Sequence, residues 1–314
     1  MDKLNTIEKS ILKTIIYFDL FIFPLTKIEL YKNLYSLENK ISFQDFLNIL
    51  ENSNQLKNII SEKEGFYFLK NKENIVRERK EKYIISYKKY ILAKRFIKIL
   101  SLFKSFKFIG VCSNSLVLDN AKDDSDIDLF IITKENRVWT ARLISVLIAK
   151  ILNLRPKENN KKNKMCLSFY VDEKKMNMER FSDNNIYFIY WVSQIIPIYD
   201  EGDYSIRFFK ENIWIKETLK NIFEFNTGYK RKINNTKKII NIRNILNYFS
   251  SDFLENIFKK IQLKTFNKEI KNKLNINDDV FCDDYIIKLH TKDRREEYKN
   301  KFEIELKKYE EFFQ

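Results

Sequence analysis

The sequence predicts an α+β fold, because helical patterns near both ends enclose a central part with strand patterns. Apolar residues recur at helical spacing in the outer parts, whereas the centre holds short apolar runs with a period of two. The 314 residues are 44% hydrophobic and 15% aromatic, with only 4 Gly and 3 Pro. This composition excludes disordered and collagen-like proteins and leaves enough chain for two or three folding units.

Residues 1–72 have the pattern of a small domain of three helices and a hairpin. Helical spacing covers residues 7–20, and Thr26 and Ser42 are typical N-caps for a second and a third helix. Two short β-favouring runs then flank a polar turn that contains Gly65. This order of elements predicts a winged-helix-like domain.

Residues 73–209 are expected to form the central, β-containing domain. Its predicted elements are a long helix over 73–104, strands over 107–111, 127–133 and 165–171, and a helix over 139–152. The remaining residues, 210–314, are predicted to form a helical C-terminal domain. The predicted helices there and just before it cover 184–195, 204–225, 237–273 and 293–313.

The charge of the chain favours a polyanionic partner. With 58 Lys and Arg against 43 Asp and Glu, the net charge is +15. The excess lies in residues 73–110, with a net charge of +8, and in residues 210–274, with +9, whereas residues 1–72 carry only +1. We therefore expect a nucleic acid, RNA before DNA, to lie along the two basic segments.

The first basic segment also carries tyrosines that suit this role. Tyr83, Tyr87 and Tyr90 are interleaved with Lys82, Lys88 and Lys89. The aromatic rings could stack on unpaired bases while the lysines contact phosphates. The alternative is that these tyrosines pack against a neighbouring domain.

Cysteine and histidine are too few for several classes of protein. The only such residues are Cys112, Cys166, Cys282 and His290. They exclude a disulfide framework and a histidine-rich metal centre. His290 precedes a sequence typical of a helix cap, and we expect it to have a structural role. No signal-peptide pattern and no apolar run of about 20 residues is present, so we expect a cytoplasmic protein without membrane association.

The most informative stretch contains two aspartates at the start of a predicted strand. Asp126 and Asp128 alternate with Ile127 and Leu129, so that the period of two places both carboxylates on one face. Two oxygen donors side by side suit Mg²⁺. The preceding strand leads into a serine-rich turn, which could hold phosphates with hydroxyl and backbone N–H groups.

At these residues the chain resembles the nucleotidyltransferase superfamily of DNA polymerase beta, in particular its small bacterial and archaeal members. The family pattern is Gly-Ser, a loop, and Asp-x-Asp on a strand. By this resemblance Asp126 and Asp128 are metal ligands, and Ser115, with Asn114 and Ser125, contacts the nucleotide. Asn114 stands where the family has glycine; asparagine is the least costly substitute at positive φ, but its side chain crowds the phosphates.

The resemblance implies transfer of a nucleoside monophosphate from an NTP to an acceptor hydroxyl, phosphate or protein side chain, with Mg²⁺ or Mn²⁺ as cofactor. The third catalytic carboxylate of the family lies on a later strand, where Asp172 is the candidate; the alternative is that Asp172 only begins a turn. Arg137 and Arg142 could contact phosphates or be solvated. The competing functional hypothesis is a catalytically degenerate protein that keeps the fold and acts as a regulatory or binding module.

Overall fold

The computed structural model describes residues 3–112, 114–157, 159–222, 232–233 and 252–313. The described chain is a mixture of helices and strands, and its largest sheet contains both parallel and antiparallel pairs. The predicted α+β class is therefore confirmed. Across these ranges, no helix combines the length and the apolar character needed to cross a bilayer.

The N-terminal unit consists of four helices and a three-stranded antiparallel sheet in the order β1–β3–β2. Its elements are α1 (Thr6–Asp19), β1 (Leu25–Thr26), α2 (Lys27–Lys32), α3 (Phe43–Asn52), α4 (Asn54–Ile59), β2 (Ile60–Lys63) and β3 (Phe66–Leu69). Capping boxes begin two of the helices, with Asn5 and Glu8 at α1 and with Thr26 and Glu29 at α2. The predicted hairpin is confirmed as β2 and β3.

The central part of the chain supplies the first four strands of the main sheet. Its elements are α5 (Asn74–Leu100), β4 (Phe106–Val111), α6 (Asn114–Val117), β5 (Ile127–Thr133), α7 (Val138–Ile151), β6 (Met165–Asp172), a 3₁₀ turn (Glu179–Phe181), α8 (Ile186–Ser193), β7 (Ile196–Asp200) and α9 (Tyr204–Glu211). The strand predicted over 127–133 is confirmed with the same bounds. Strand β7 was not predicted, and the expected domain boundary at 209/210 falls inside α9.

The C-terminal part is not purely helical, which corrects the sequence-based expectation. Its elements are α10 (Ile215–Thr218), α11 (Asp252–Thr265), α12 (Lys268–Lys273), β8 (Val280–Cys282), β9 (Ile286–Leu289), α13 (Arg295–Lys307) and a 3₁₀ turn (Glu310–Phe312). Strands β8 and β9 join the main sheet, whose order is β7–β4–β5–β6–β9–β8. The predicted helices over 204–225 and 237–273 fall partly outside the described residues.

Two apolar layers cover the main sheet, one on each face. On the face that carries Phe130 and Phe169, the core is shared with the N-terminal unit and with α8, α9 and α13. We call this the N-terminal face. On the opposite face, which carries Ile127 and Leu129, the core is built with α5 and α7, and α11 packs there as well. The N-terminal unit is joined to this layer through α8, with Tyr17 stacked on Tyr190 of α8 at 4.4 Å between ring centroids.

A register irregularity in β6 decides which side chains share a face. Strands β5 and β6 are parallel, with Asp128 opposite Cys166, but Phe130 is opposite Phe169, so that β6 has one extra residue between these pairs. The extra residue moves Phe169 to the N-terminal face, while Leu167 stays on the opposite face. Simple alternation, which places Leu167 and Phe169 together, is therefore wrong for β6.

Candidate functional site

Strand β5 places the two predicted carboxylates together at its first residues. Ile127 and Leu129 are fully buried in the core of the α5/α7 face, which leaves the half-buried Asp128 on the N-terminal face. Asp126 lies immediately before the strand and is also half-buried. Ligand atoms of both carboxylates and of the Cys166 thiol lie within 4.8 Å of one another. The predicted proximity of Asp126 and Asp128 is therefore confirmed.

The third donor of this group is a cysteine, not an acid. Cys166 is the second residue of β6 and lies directly opposite Asp128 in the parallel pair. Burial raises the pKa of the Cys166 thiol well above its ordinary value, and the charges of Asp128 and Asp126 raise it further. The sequence analysis looked for the third ligand on this strand only among the acids, and so selected Asp172. The early position of Cys166 in the strand was the available signal.

The structure does not bring Asp172 to the other two aspartates, which corrects its expected role as the third carboxylate. Asp172 is the last residue of β6 and pairs with Thr133, the last residue of β5. Because the two strands are parallel, this position is five residues beyond Asp128, or roughly 16 Å at 3.3 Å per residue. The fully buried Asp172 carboxylate instead accepts hydrogen bonds from the backbone N–H groups of Asn136, at 2.7 Å, and Lys174, at 2.9 Å.

A row of polar side chains continues from Cys166 across the sheet. The Ser168 hydroxyl lies 3.3 Å from the Cys166 sulfur and 3.0 Å from Nε2 of His290, which directly follows β9. Burial, and then the charge of Lys288, lowers the pKa of His290 to about 4, so that the imidazole is neutral at pH 7. The ring of His290 reaches Ser168 because β9 pairs with β6, a position that is compatible with the expected structural role.

The loop before Asp126 is held by a buried lysine. The Lys89 ammonium donates hydrogen bonds to the carbonyl oxygens of Asp123, at 3.2 Å, and Ser125, at 2.6 Å, and to the side-chain oxygen of Asn163, at 3.0 Å. Lys89 is only 1% exposed, so it cannot contact phosphates as the sequence suggested. It fixes the backbone that leads into the carboxylate pair. Burial also raises the pKa of Asp126, which the charges of Lys161 and Lys89 oppose.

The predicted nucleotide-binding serines differ in their surroundings. The N–H of Cys112, which follows β4, donates to the carbonyl oxygen of Asp128 at 3.1 Å, so the turn that contains Ser115 starts beside the carboxylates. Ser115 lies in α6, and its side chain is half-buried. The Ser125 hydroxyl donates to the carbonyl oxygen of Lys122 at 2.9 Å and stabilises its own loop. Asn114 begins α6 in a helical conformation and does not occupy the left-handed region.

The two candidate arginines lie at the other end of the sheet. Arg142 is buried on the α5/α7 face, where it donates to the Gln262 side chain at 2.6 Å and lies over the Phe266 ring at 4.9 Å. Arg137 is also buried and donates to the carbonyl oxygen of Asn136 at 2.5 Å. Both are therefore structural, and neither proposed role, phosphate binding or solvation, describes them.

An aromatic stack joins the N-terminal unit to α8 and α13. Tyr187 of α8 stacks on Tyr298 of α13 at 4.9 Å, and Tyr298 stacks on Phe21 at 4.7 Å. Burial raises the pKa of Tyr187, with further contributions from Tyr298 and from the charge of Asp128. The stack therefore holds Tyr187 close enough to the site for the charge of Asp128 to act on it.

Comparisons with protein families, with curated proteins and with solved structures find no match for this chain. Among the described residues, the group of metal-ligating atoms that comes together is that of Asp126, Asp128 and Cys166.

Proposed function

We propose that the chain is a metal-dependent nucleotidyltransferase, which transfers a nucleoside monophosphate from an NTP to an acceptor. The observation that carries the proposal is the clustering of the Asp126 and Asp128 carboxylates where β5 begins, beside the turn that follows β4. A strand, a serine-containing turn and an Asp-x-Asp strand are the parts by which the sequence resembles the polymerase-beta superfamily. Here the first and last are adjacent antiparallel strands.

The order of elements around the site supports the same proposal. The parallel strand β6 lies beside β5, where the resemblance expects the strand with the third ligand. Along the N-terminal unit, a helix is followed by a strand, further helices and a hairpin. The single strand and the hairpin form a sheet of order β1–β3–β2. This is the order that a winged-helix-like domain would have.

The carboxylates present a donor set that fits a divalent cation. Asp126 and Asp128 would hold Mg²⁺ or Mn²⁺, since both ions accept carboxylate oxygens. When bound, the cation would supply positive charge against the triphosphate and the developing charge of phosphoryl transfer. Ser115 and the backbone of its turn would bind the triphosphate, and Lys89 would keep the preceding loop in position.

Helix α5 supports RNA as the acceptor or partner. Tyr83 and Tyr87 are exposed four residues apart, and Lys88 and Arg95 are exposed seven residues apart, so that each pair lies along one line of the helix. The two lines are roughly 100° apart and leave one continuous exposed side. Tyr90 is buried, and its hydroxyl donates a hydrogen bond to the Leu116 carbonyl oxygen. Tyr90 therefore packs inside the protein and is not available to stack on bases. We propose that RNA lies along this exposed side. The second basic segment, residues 210–274, falls partly outside the described residues.

Transfer is tested by incubating the purified full chain with each α-labelled NTP, Mg²⁺ or Mn²⁺, and total cellular RNA or protein. Asp126→Asn or Asp128→Asn should lower the rate by about 100-fold or more, because a metal-ligating charge is lost. Asp124→Asn is the matched control, since it removes an exposed acid from the same loop. Transfer that is undiminished in both ligand variants contradicts the proposal.

RNA binding is tested by filter-binding titrations over a series of salt concentrations. If α5 contacts phosphates, log K should fall linearly with log salt, and Lys88→Glu or Arg95→Glu should flatten the slope by about one unit each. Lys57→Glu, an exposed site in the N-terminal unit, is the control. Binding that is absent at low salt, or equally affected by all three reversals, contradicts RNA along α5.

The competing proposal of a degenerate protein is favoured by one observation. Cys166 occupies the position beside Asp128, and Asp172 is remote. If the chain binds NTP but transfers nothing with any cation, the regulatory or binding role is the better explanation.

A further inference from the structure

We propose that Cys166 is itself a metal ligand, so that the site formed by Asp126, Asp128 and the Cys166 thiolate prefers a thiophilic cation such as Zn²⁺ over Mg²⁺. This inference rests on the metal site of the proposed function and names the class of cation. It does not depend on nucleotidyl transfer.

The backbone register puts the sulfur where a ligand is needed. Cys166 is directly opposite Asp128, and the extra residue of β6 comes only after this pair. Around a tetrahedral zinc ion, ligand atoms at 2.0–2.3 Å from the metal are roughly 3.5 Å apart. The three donor atoms of the site lie within 4.8 Å of one another, so small side-chain rotations would bring them to that spacing.

The side chains behind the sulfur suit a thiolate ligand. Ser168 is only 8% exposed, and its hydroxyl lies between the Cys166 sulfur, at 3.3 Å, and Nε2 of His290, at 3.0 Å. An imidazole N–H can donate to the serine oxygen while the serine O–H donates to the sulfur. Hydrogen bonds of this kind orient metal ligands and fix their geometry. Ser168 and His290 can therefore orient a Cys166 sulfur that accepts a hydrogen bond.

The chemistry of the donor set decides the class of cation. Mg²⁺ takes oxygen ligands and keeps several waters, whereas zinc accepts sulfur, nitrogen and carboxylate oxygen. Three protein ligands are the usual number in catalytic zinc sites, where an open position remains for water or substrate. Two carboxylates and a thiolate fit this description better than that of a magnesium site.

Cobalt substitution is the direct test, because a cobalt–thiolate bond has a near-ultraviolet charge-transfer absorption. The full chain is stripped of metal, and Co²⁺ is titrated into it without any nucleotide. The wild type and a Cys282→Ser control should show the absorption, and Cys166→Ser should lose it. Cys282 is buried in β8 and is absent from the ligand group, which makes it a matched cysteine.

Equilibrium dialysis gives the second measurement. Cys166→Ser should weaken Zn²⁺ binding by about 100-fold, while Cys166→Asp should strengthen Mg²⁺ binding relative to Zn²⁺. Wild-type Co²⁺ binding without the absorption, unchanged Zn²⁺ affinity in Cys166→Ser, or no metal binding at all would each overturn the inference. Thiolate-dependent metal binding without nucleotidyl transfer would instead leave this inference standing and contradict the proposed function alone.

Discussion

Replacing Asp172 by alanine is expected to destabilise the folded chain without weakening the metal site. The carboxylate is fully buried and accepts hydrogen bonds from the N–H groups of Asn136 and Lys174. A hydrogen bond to a charged group contributes about 1.5–3 kcal/mol. Asn136 and Lys174 are exposed residues, so water can replace part of what each N–H group loses. Burial raises the pKa of Asp172, which means that its charge is costly in the folded state, and alanine removes that cost. We therefore expect a net loss of about 2–3 kcal/mol in the free energy of unfolding.

Urea unfolding measures this loss, and cation binding to the folded fraction measures the site. Asp172→Asn keeps one carbonyl acceptor and should lose less stability than alanine, provided that its amide group finds an acceptor of its own. Glu135→Ala, which removes a half-buried acid from the loop after β5, is the control. If Asp172→Ala is as stable as the wild type but binds the cation at least ten-fold more weakly, the assignment of Asp172 to the far end of the sheet is refuted.

Three other predictions test the positions that support the site. Lys89→Met should weaken cation binding about 10-fold, because it frees the loop that Lys89 holds. Lys88→Met, at an exposed position, should leave the affinity unchanged, and equilibrium dialysis measures the cation affinity of both variants. Gly110→Ala should cost about 1–3 kcal/mol in urea unfolding, because the new Cβ would lie 2.7 Å from an isoleucine side-chain carbon. Burial alone would raise the pKa of Asp293, but Lys288 and then Arg295 lower it to about 2. About 2 kcal/mol of stability should therefore be present above pH 4 and lost between pH 4 and 2, and Asp293→Asn should lack this acid dependence in urea unfolding.

Local patterns predicted the strands of the site but not their partners. Strand β5 was predicted with its observed bounds, because the apolar run from Ile127 is long and ends at a polar residue. Strand β9, by contrast, has only four residues, Ile286–Leu289, and is stabilised by pairing with a strand more than one hundred residues earlier. A short run of this kind has no local signal that distinguishes it from a loop.

The site was predicted in part for the same reason. Asp126 and Asp128 are neighbours in sequence, so a period of two was enough to bring them together. Cys166 and Asp172 depend on whether β6 is parallel to β5 and on where its extra residue lies, and neither follows from the sequence of β6 alone. The direction of the strand decided that the cysteine, and not the aspartate, reached the carboxylates.

The position of β9 in the sheet also determines the order in which the site is assembled during synthesis. Phe169 of β6 pairs with Lys288, about 120 residues later in the chain. At a translation rate of about 5–20 residues per second, the backbone N–H and C=O groups on the β9 side of β6 stay unpaired for on the order of 10 s. An unpaired edge of this kind can recruit strands from other chains. The edge of β6 is therefore open to such pairing until β9 is made, and the ligand-bearing strands acquire the support of His290 only after residue 290 has emerged from the ribosome.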